Sequence, residues 1–309
     1  MKIFLIISLA IMILILLILA VYLIIGYCSF KFCFNRKGGL LKRFHKNRKQ
    51  HLERMKIDEE YFKKDFQKIQ INSEDGLRLI GFYKDIQSNK LAILVHGLGA
   101  NHTDVSNIAK IFEKRGFDLL AIDLRCHGQS LGQNVTMGKE ESKDILLWIN
   151  KMIEIKQEYK IVLFGMSMGA TAICLALGEK LPKNVVLAIE DSGFDNAEKQ
   201  LSYVYSRRKF HTKVLFKIFC SFTKKSAGYD LKSIDATQSL KKCHIPVMFI
   251  HGEADNFVPT EMVYNLASQV PESRRRIYVA SEAEHLMSYS VNENKYEKEI
   301  GQFLNQFYM

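Results

Sequence analysis

Residues 160–180 read KIVLFGMSMGATAICLALGEK, and the change of pattern inside this stretch decides the fold. The first part, KIVLF, is a continuous apolar run typical of a buried strand, whereas ATAICLALGEK is typical of a helix. Between them lies Gly165-Met166-Ser167-Met168-Gly169. A serine at such a strand-to-helix turn is held in a strained conformation that lifts its hydroxyl above the sheet. The stretch therefore predicts Ser167 as a nucleophile.

Short apolar runs and helical stretches alternate on both sides of this turn. Such alternation is typical of a doubly wound parallel sheet, so the predicted fold class is α/β. Residues 66–71 and 77–83 flank a turn signal, NSEDG, and predict an antiparallel opening pair. Further strands are predicted over 91–97, 117–123, 160–165, 184–190, 245–252 and 274–280. Helices are predicted over 104–115, 138–156, 168–180, 260–270 and 292–307.

Residues 195–244 interrupt this alternation, because fifty residues are too many for a plain connection between two strands. The interval contains helical patterns around 197–208 and 212–224 and is rich in aromatic and aliphatic side chains. We expect a helical cap, inserted over the C-terminal edge of the sheet, within a hydrolase domain that spans residues 66–309.

The N-terminal segment is apolar, since residues 3–25 carry no charge. About 20 such residues cross a bilayer as a helix, and the run is longer than the apolar part of a signal peptide. Residues 1–30 are therefore predicted to be a single transmembrane anchor. Residues 31–65 are predicted to be a basic juxtamembrane linker or helix.

Positive charge is concentrated beside this anchor. The chain has a net charge of +11, and residues 1–49 hold nine Lys or Arg and no Asp or Glu, which leaves +2 for residues 50–309. We therefore expect the basic flank to contact membrane lipid, and we expect no nucleic-acid partner. The positive-inside rule places the catalytic domain in the cytoplasm, although a short basic start before an apolar run also resembles an export signal.

A nucleophilic serine needs a base, and the base needs a carboxylate that orients it. His285 follows the last predicted strand, and Asp255 follows the strand IPVMFI, so both should lie at the same sheet edge as Ser167. The order Ser167, Asp255, His285 is the order expected for this arrangement. Asp191 is the alternative acid and His127 a weaker alternative base.

The reaction would also need backbone N–H groups that bind the oxyanion of a tetrahedral intermediate. Met168, which follows the nucleophile, should supply one, and Leu98 in the loop His96-Gly97-Leu98-Gly99 should supply the other. His96 is expected to support this loop rather than transfer protons.

Five sequence blocks, in order, now resemble the α/β-hydrolase superfamily across about residues 66–307. They are HGLG (96–99), DLRCHGQS (123–130), GMSMG (165–169), HGEADNFVP (251–259) and EAEH (282–285). Within the superfamily the chain is similar to membrane-anchored bacterial hydrolases related to the serine aminopeptidase and monoacylglycerol lipase-like group. The resemblance implies an eight-stranded sheet, a helical cap, and metal-free hydrolysis of esters, thioesters or amides. One departure is Cys126, where many relatives carry glycine.

Carried over by position, the resemblance assigns Ser167, Asp255 and His285 to a catalytic triad, and Leu98 and Met168 to the oxyanion hole. We expect a small-molecule acyl or ester substrate and no cofactor or metal. A serine peptidase or amidase would use the same triad, because fold does not determine the substrate. A non-catalytic membrane-bound scaffold is the third hypothesis, and reaction with a fluorophosphonate would distinguish it from an enzyme.

Overall fold

The fold is described here from a computed structural model that covers residues 2–39, 48–207, 213–226 and 228–308. Its centre is an eight-stranded sheet in the order β1-β2-β4-β3-β5-β6-β7-β8. Strand β2 runs antiparallel to both of its neighbours, and all other neighbouring strands are parallel. The strands are β1 (Gln67–Asn72), β2 (Arg78–Lys84), β3 (Lys90–Val95), β4 (Asp118–Asp123), β5 (Lys160–Met166), β6 (Val185–Asp191), β7 (Val247–Gly252) and β8 (Arg275–Ala280).

Helices cover both faces of this sheet, and short 3₁₀ turns complete the connections. The α-helices are α1 (Lys2–Phe34), α2 (Arg48–Met55), α3 (Ser106–Glu113), α4 (Lys139–Ile155), α5 (Met168–Ala176), α6 (Ala197–Ser206), α7 (Lys213–Ser226), α8 (Ala236–Leu240), α9 (Glu261–Ala267), α10 (Ser288–Val291) and α11 (Glu293–Phe307). The eight predicted strands and the mostly parallel sheet are confirmed. Strand β3 ends at Val95, two residues before the predicted end, because His96 and Gly97 leave the sheet to form a loop.

The central strands are buried on both faces, which explains their continuous apolar sequences. Alternate residues of β3 belong to two hydrophobic clusters on opposite sides of the sheet. Ile93 packs in the cluster that contains Trp148 of α4, whereas Leu94 packs in the cluster that contains Phe112 of α3 and Phe303 of α11. The sheet is thus a rigid platform that positions the loops at its C-terminal edge.

Helix α1 continues beyond the predicted end of the anchor and joins the folded domain. It is long and apolar enough to cross a membrane by length and composition. Its last turns pack on α7: the hydroxyls of Tyr22 and Ser221 are 3.0 Å apart, and the ring of Phe34 stacks on that of Phe219 at 5.5 Å. Phe34 is fully buried. The predicted boundary at residue 30 therefore falls inside a continuous helix.

The described residues that precede β1, from 48 onward, contact the folded domain. Helix α2 ends at Met55, whose carbonyl accepts a hydrogen bond from Asn107 at 3.0 Å, and Asp58 pairs with Lys110 at 2.7 Å. Part of the predicted basic flank, Lys42, Arg43 and Lys46, lies outside the described residues. So do residues 208–212 and 227 of the predicted cap.

Candidate active site

Ser167 occupies the sharp turn between β5 and α5. Its backbone has φ +51° and ψ −120°, a conformation that L-residues rarely adopt and that costs free energy. Its N–H donates to the carbonyl of Asp191 at 2.8 Å, which ties the turn to β6. Hydrogen bonding to the sheet stabilises this strained conformation, which places the Ser167 side chain at the tip of the turn.

The two glycines of the motif are required by close backbone contacts. A Cβ atom on Gly169 would overlap the carbonyl oxygens of Val95 and His96 in the neighbouring strand and loop. A Cβ on Gly165 would lie 2.7 Å from the backbone of Gly169. Both atoms would be closer than non-bonded contact permits, so glycine is the only residue that fits at either position.

The structure brings together the three predicted side chains of Ser167, His285 and Asp255. Nε2 of His285 lies 3.0 Å from Oγ of Ser167, and Nδ1 of His285 lies 2.7 Å from Oδ2 of Asp255. The Asp255 carboxylate can only accept a hydrogen bond, so Nδ1 of His285 carries the proton. Nε2 is then free to accept the proton of Ser167. The ring of Phe257 packs against the imidazole at 4.9 Å between centroids.

Asp255 is buried and held by several donors. Its Oδ1 atom accepts the N–H groups of Phe257 and Val258, both at 2.8 Å. Burial alone would raise the pKa of Asp255, but hydrogen bonds from His251 and His285 outweigh this effect and hold that pKa well below its usual range. The carboxylate therefore stays ionised and correctly oriented at neutral pH.

The alternative acid and base make other contacts. The carboxylate of Asp191 accepts hydrogen bonds from the hydroxyls of Tyr296 at 2.7 Å and Ser192 at 2.8 Å. Nε2 of His127 accepts the N–H of Gly99 at 3.0 Å, and its Nδ1 lies 2.8 Å from the carbonyl of Arg125. Neither side chain is bonded to the Ser167–His285 pair.

His96 and His127 support the loop that follows β3. Nε2 of His96 accepts the N–H of Leu124 at 3.1 Å, so its Nδ1 carries the proton that is donated to the Gly97 carbonyl at 2.7 Å. Burial lowers the pKa of both rings, that of His127 to about 3, where His96 adds to the effect. Both imidazoles are therefore neutral, and both nitrogens of each ring form hydrogen bonds that stabilise the loop.

This loop carries the predicted oxyanion donor Leu98. Within the described part of the chain, neither the N–H of Leu98 nor that of Met168 has a hydrogen-bond partner. Gly97 lies against Ser167, where an added Cβ would be 3.1 Å from the Ser167 Cβ. The two predicted donors thus belong to residues that directly follow Gly97 and Ser167, which lie against each other.

Cys126, the departure from the family pattern, lies in the adjacent loop. Its φ is +68°, in the left-handed region that glycine occupies without strain. Cys126 therefore holds a backbone conformation that a glycine would adopt more easily.

A cavity of about 410 Å³ opens beside Ser167. Apolar side chains from five parts of the chain contribute to its lining, namely Met55, Leu98, Met166, Phe257, Leu286 and Met287. Arg54 lies at its edge and forms an ion pair with Glu284. None of the described residues of 195–244, the predicted cap, lines this cavity, whereas Arg54 and Met55 of α2 do.

Sequence reasoning missed Arg54 and Met55 as residues of the cavity. The sequence of α2, RKQHLERM, is polar and basic and resembles an ordinary flank of an anchor. Its placement depends on distant contacts such as that between Asn107 and Met55. Among the described residues, no group of three or more His, Cys, Asp or Glu side chains is arranged as a metal site.

Comparison with known proteins agrees with this architecture. Residues 87–193 match the family model described as serine aminopeptidase, S33. YqkD of Bacillus subtilis is 28% identical over 216 residues, which are 69% of this chain and 70% of YqkD. YfhR of Escherichia coli is 22% identical over 233 residues, 72% of this chain and 74% of YfhR.

Solved structures share the fold. An esterase from Pyrococcus furiosus superposes with a TM-score of 0.65 and 22% identity over 83% of this chain and 94% of that structure. An esterase from Thermogutta terrifontis superposes with a TM-score of 0.55 and 19% identity over 78% and 98%, respectively. The strand order, the serine turn and the likeness to these solved structures together show that this chain has the α/β-hydrolase fold.

Proposed function

We propose that the protein is a serine hydrolase that cleaves carboxylic esters of acyl or lipid-like compounds through Ser167, His285 and Asp255. The observation that carries the proposal is the unbroken hydrogen-bonded chain from the Ser167 hydroxyl through His285 to the buried Asp255 carboxylate. A serine hydroxyl is a weak nucleophile on its own, and an adjacent oriented base activates it.

In the first half of the reaction, Oγ of Ser167 attacks the ester carbonyl carbon while Nε2 of His285 takes its proton. Asp255 stabilises the resulting imidazolium and keeps the ring oriented. The negative charge that forms on the carbonyl oxygen is bound by the N–H groups of Leu98 and Met168. His285 then gives its proton to the leaving alcohol, which leaves an acyl group on Ser167.

In the second half, a water molecule gives a proton to His285 and attacks the acyl carbon. The same two N–H groups bind the second oxyanion, and the proton on His285 returns to Ser167 as the acid product leaves. Every step uses groups of this chain and needs no cofactor.

The cavity favours an acyl substrate. Its wall beside Ser167 is formed by apolar side chains such as Met55, Phe257 and Leu286, which bind a hydrocarbon chain by excluding water. Esterases are also among the solved structures that share the fold.

Peptide or amide hydrolysis is the second candidate, favoured by the family model's description as a serine aminopeptidase. A panel of p-nitrophenyl esters, thioesters and aminoacyl p-nitroanilides tests the two. We expect kcat/KM for esters to exceed that for anilides by at least about 10²-fold, on the assumption that a difference of roughly 3 kcal/mol separates the two transition states. Faster anilide cleavage would establish the peptidase alternative.

We also propose that the apolar part of α1 anchors the protein in a membrane with the hydrolase domain in the cytoplasm and the basic flank against anionic lipid. Support comes from the uncharged run of residues 3–25 and from the nine basic residues in 1–49. Removing residues 2–20 should release the protein from membranes with kcat/KM unchanged. A C-terminal green fluorescent protein should fluoresce, whereas a C-terminal alkaline phosphatase should be inactive; the reverse result would place the domain outside.

The contact between α1 and α7 sets where that truncation must stop. Deleting residues 2–30 also removes Tyr22, which bonds to Ser221, and Phe30, which lies 6.2 Å from the Phe222 ring. This longer deletion should lower the melting temperature relative to the shorter one, because it uncovers the apolar face of α7. Equal melting temperatures would show that the contact contributes little to stability.

A further inference from the structure

A second histidine, His251, also contacts the carboxylate of Asp255. Nε2 of His251 is 3.3 Å from Oδ2 of Asp255, the oxygen that also faces His285. Both the His251 and the Asp255 side chains have no exposed surface. One carboxylate oxygen is therefore shared between two imidazole rings inside the protein.

The protonation of His251 at this nitrogen follows from its other contact. Nε2 also lies 3.0 Å from the carbonyl oxygen of Val258, and a carbonyl oxygen can only accept. Nε2 must therefore carry a proton, which it shares between the Val258 carbonyl and the Asp255 carboxylate. The other ring nitrogen, Nδ1, is buried and has no partner among the described residues.

Glu190 is a buried carboxylic acid on β6, the strand next to that of His251. It pairs in register with Phe249, two residues before His251, so Glu190 and His251 project from the same face of adjacent parallel strands. Oε2 of Glu190 accepts the N–H of Gly193 at 2.9 Å, whereas Oε1 is buried and unpartnered within the described chain. Nδ1 of His251 and Oε1 of Glu190 are therefore both buried without a hydrogen-bond partner among the described residues, and they do not bond to each other.

Electrostatics agrees with this geometry. Burial raises the pKa of Glu190 to about 8, against the attraction of His251. Burial alone would lower the pKa of His251, but Asp255 and Glu190 raise it above its usual value. The contact with the Val258 carbonyl keeps a proton on Nε2, so His251 presents an N–H group to Asp255 at neutral pH.

We propose that His251 is a positioning residue that acts through Asp255, and that it sets the pH at which His285 becomes able to accept the serine proton. This inference rests on the proposed triad.

Two other ionisable groups, on β6 and α5, interact with His251 or Glu190. Asp191 of β6 interacts with both His251 and His285, and its carboxylate is occupied by Tyr296 of α11 and Ser192. Cys174 of α5 lies near Glu190, and burial raises its pKa well above the ordinary value, so this thiol stays neutral.

The negative charge of Asp255 is shared between two N–H donors, on His251 and His285, and this determines the direction in which the activity profile should shift. A carboxylate that accepts a second N–H donor has less negative charge available to stabilise protonated His285. His285 is then free to act as a base at lower pH. Removing the His251 donor should therefore move the acid limb of activity to higher pH.

The test is the rate at which a fluorophosphonate labels Ser167 in the full chain in detergent, measured from pH 5 to pH 9. In His251→Leu we expect the midpoint of the acid limb to rise by about 0.5–1 pH unit, because the loss of an N–H donor leaves more negative charge on Asp255 to stabilise protonated His285. His251→Gln keeps an N–H donor and should restore the midpoint to within about 0.2 pH unit of the wild-type value. His251→Asn is measured in parallel, because it is polar but shorter, and should behave like His251→Leu.

A merely structural role would lower the labelling rate equally at every pH. Unchanged midpoints in both His251→Leu and His251→Asn, or an equal shift in His251→Gln, would overturn the proposal. Circular dichroism melts identify any variant that fails to fold, and the remaining variants then decide. Failure of the wild-type chain to react at all would instead refute the proposed serine hydrolase, and the inference with it.

Discussion

Histidines lie on two sides of Ser167, which we call the base side and the oxyanion side after the roles proposed for them, and their contacts differ. On the base side, His285 bonds to Asp255 through one nitrogen and directs the other at the serine hydroxyl. On the oxyanion side, His96 and His127 use both nitrogens in hydrogen bonds within the loops and stay neutral. Hydrogen-bond partners, and not residue type, therefore decide which imidazole can transfer a proton. Substitutions on each side test this contrast.

The largest effect is expected at His285. In His285→Gln the amide keeps the approximate shape of the ring but cannot act as a base, so kcat on an ester substrate should fall by roughly 10⁴-fold or more. Steady-state kinetics measure this loss. A fall of less than about tenfold would show that another group accepts the proton.

A substitution at Gly169 tests the close backbone packing between the Ser167 turn and the loop after β3. In Gly169→Ala the added methyl overlaps two carbonyl oxygens of the neighbouring strand and loop, so the free energy of unfolding should fall by about 3 kcal/mol or more. The matched control is Gly301→Ala in α11, where the nearest atom is the tip of the Arg115 side chain at 3.2 Å and stability should change little or rise. Equal stability of the two variants would contradict the packing argument.

A smaller effect is expected at His127. In His127→Leu the Gly99 N–H loses its acceptor, and the loop that carries Leu98 is displaced, so kcat should fall by about 10–100-fold. The pH at which activity appears should not change, because His127 takes no proton in the reaction. A shift of that midpoint would assign His127 to proton transfer after all.

The smallest effect is the pH dependence of stability that Glu190 introduces. The pKa of this acid is raised from 4.5 to about 8 in the folded state, so stability is greatest below about pH 4.5 and falls as the pH rises towards 8. The raised pKa of His251 has the same sign, since its stabilising effect is lost at high pH. In Glu190→Gln the decline from pH 5 to pH 9 should shrink, by on the order of 1–3 kcal/mol.

Thermal melts in detergent across this range measure the decline. The control is Glu272→Gln, because the side chain of Glu272 is 88% exposed. This substitution should leave the wild-type slope unchanged. An unaltered slope in Glu190→Gln would mean that Glu190 is already ionised in the folded chain.

Much of the architecture could be predicted because its signals are local. Apolar runs marked the central strands, and the glycines around Ser167 marked the turn that their backbone contacts require. The order of Ser167, Asp255 and His285 along the chain was enough to predict that they meet at one sheet edge. The structure places them in one hydrogen-bonded chain, while their roles in catalysis stay predictions.

Other features depend on contacts between distant segments and left no local signal. A helix that is apolar all round, such as α1, shows no preferred face, so its packing against α7 could not be predicted. The polar sequence of α2 likewise gave no indication that Met55 would line the cavity. The different partners of His251 and His127 depend on loop conformations that neither periodicity nor spacing determines.

The most direct test of the central claim is to map the adduct that a fluorophosphonate forms with the full chain. Mass spectrometry of the digested protein should find one phosphonylated residue, Ser167, with no adduct in Ser167→Ala and labelling slowed by roughly 10³-fold or more in His285→Gln. Labelling at Ser167 that is equally fast in wild type and His285→Gln, or an adduct on a different serine, would contradict the account.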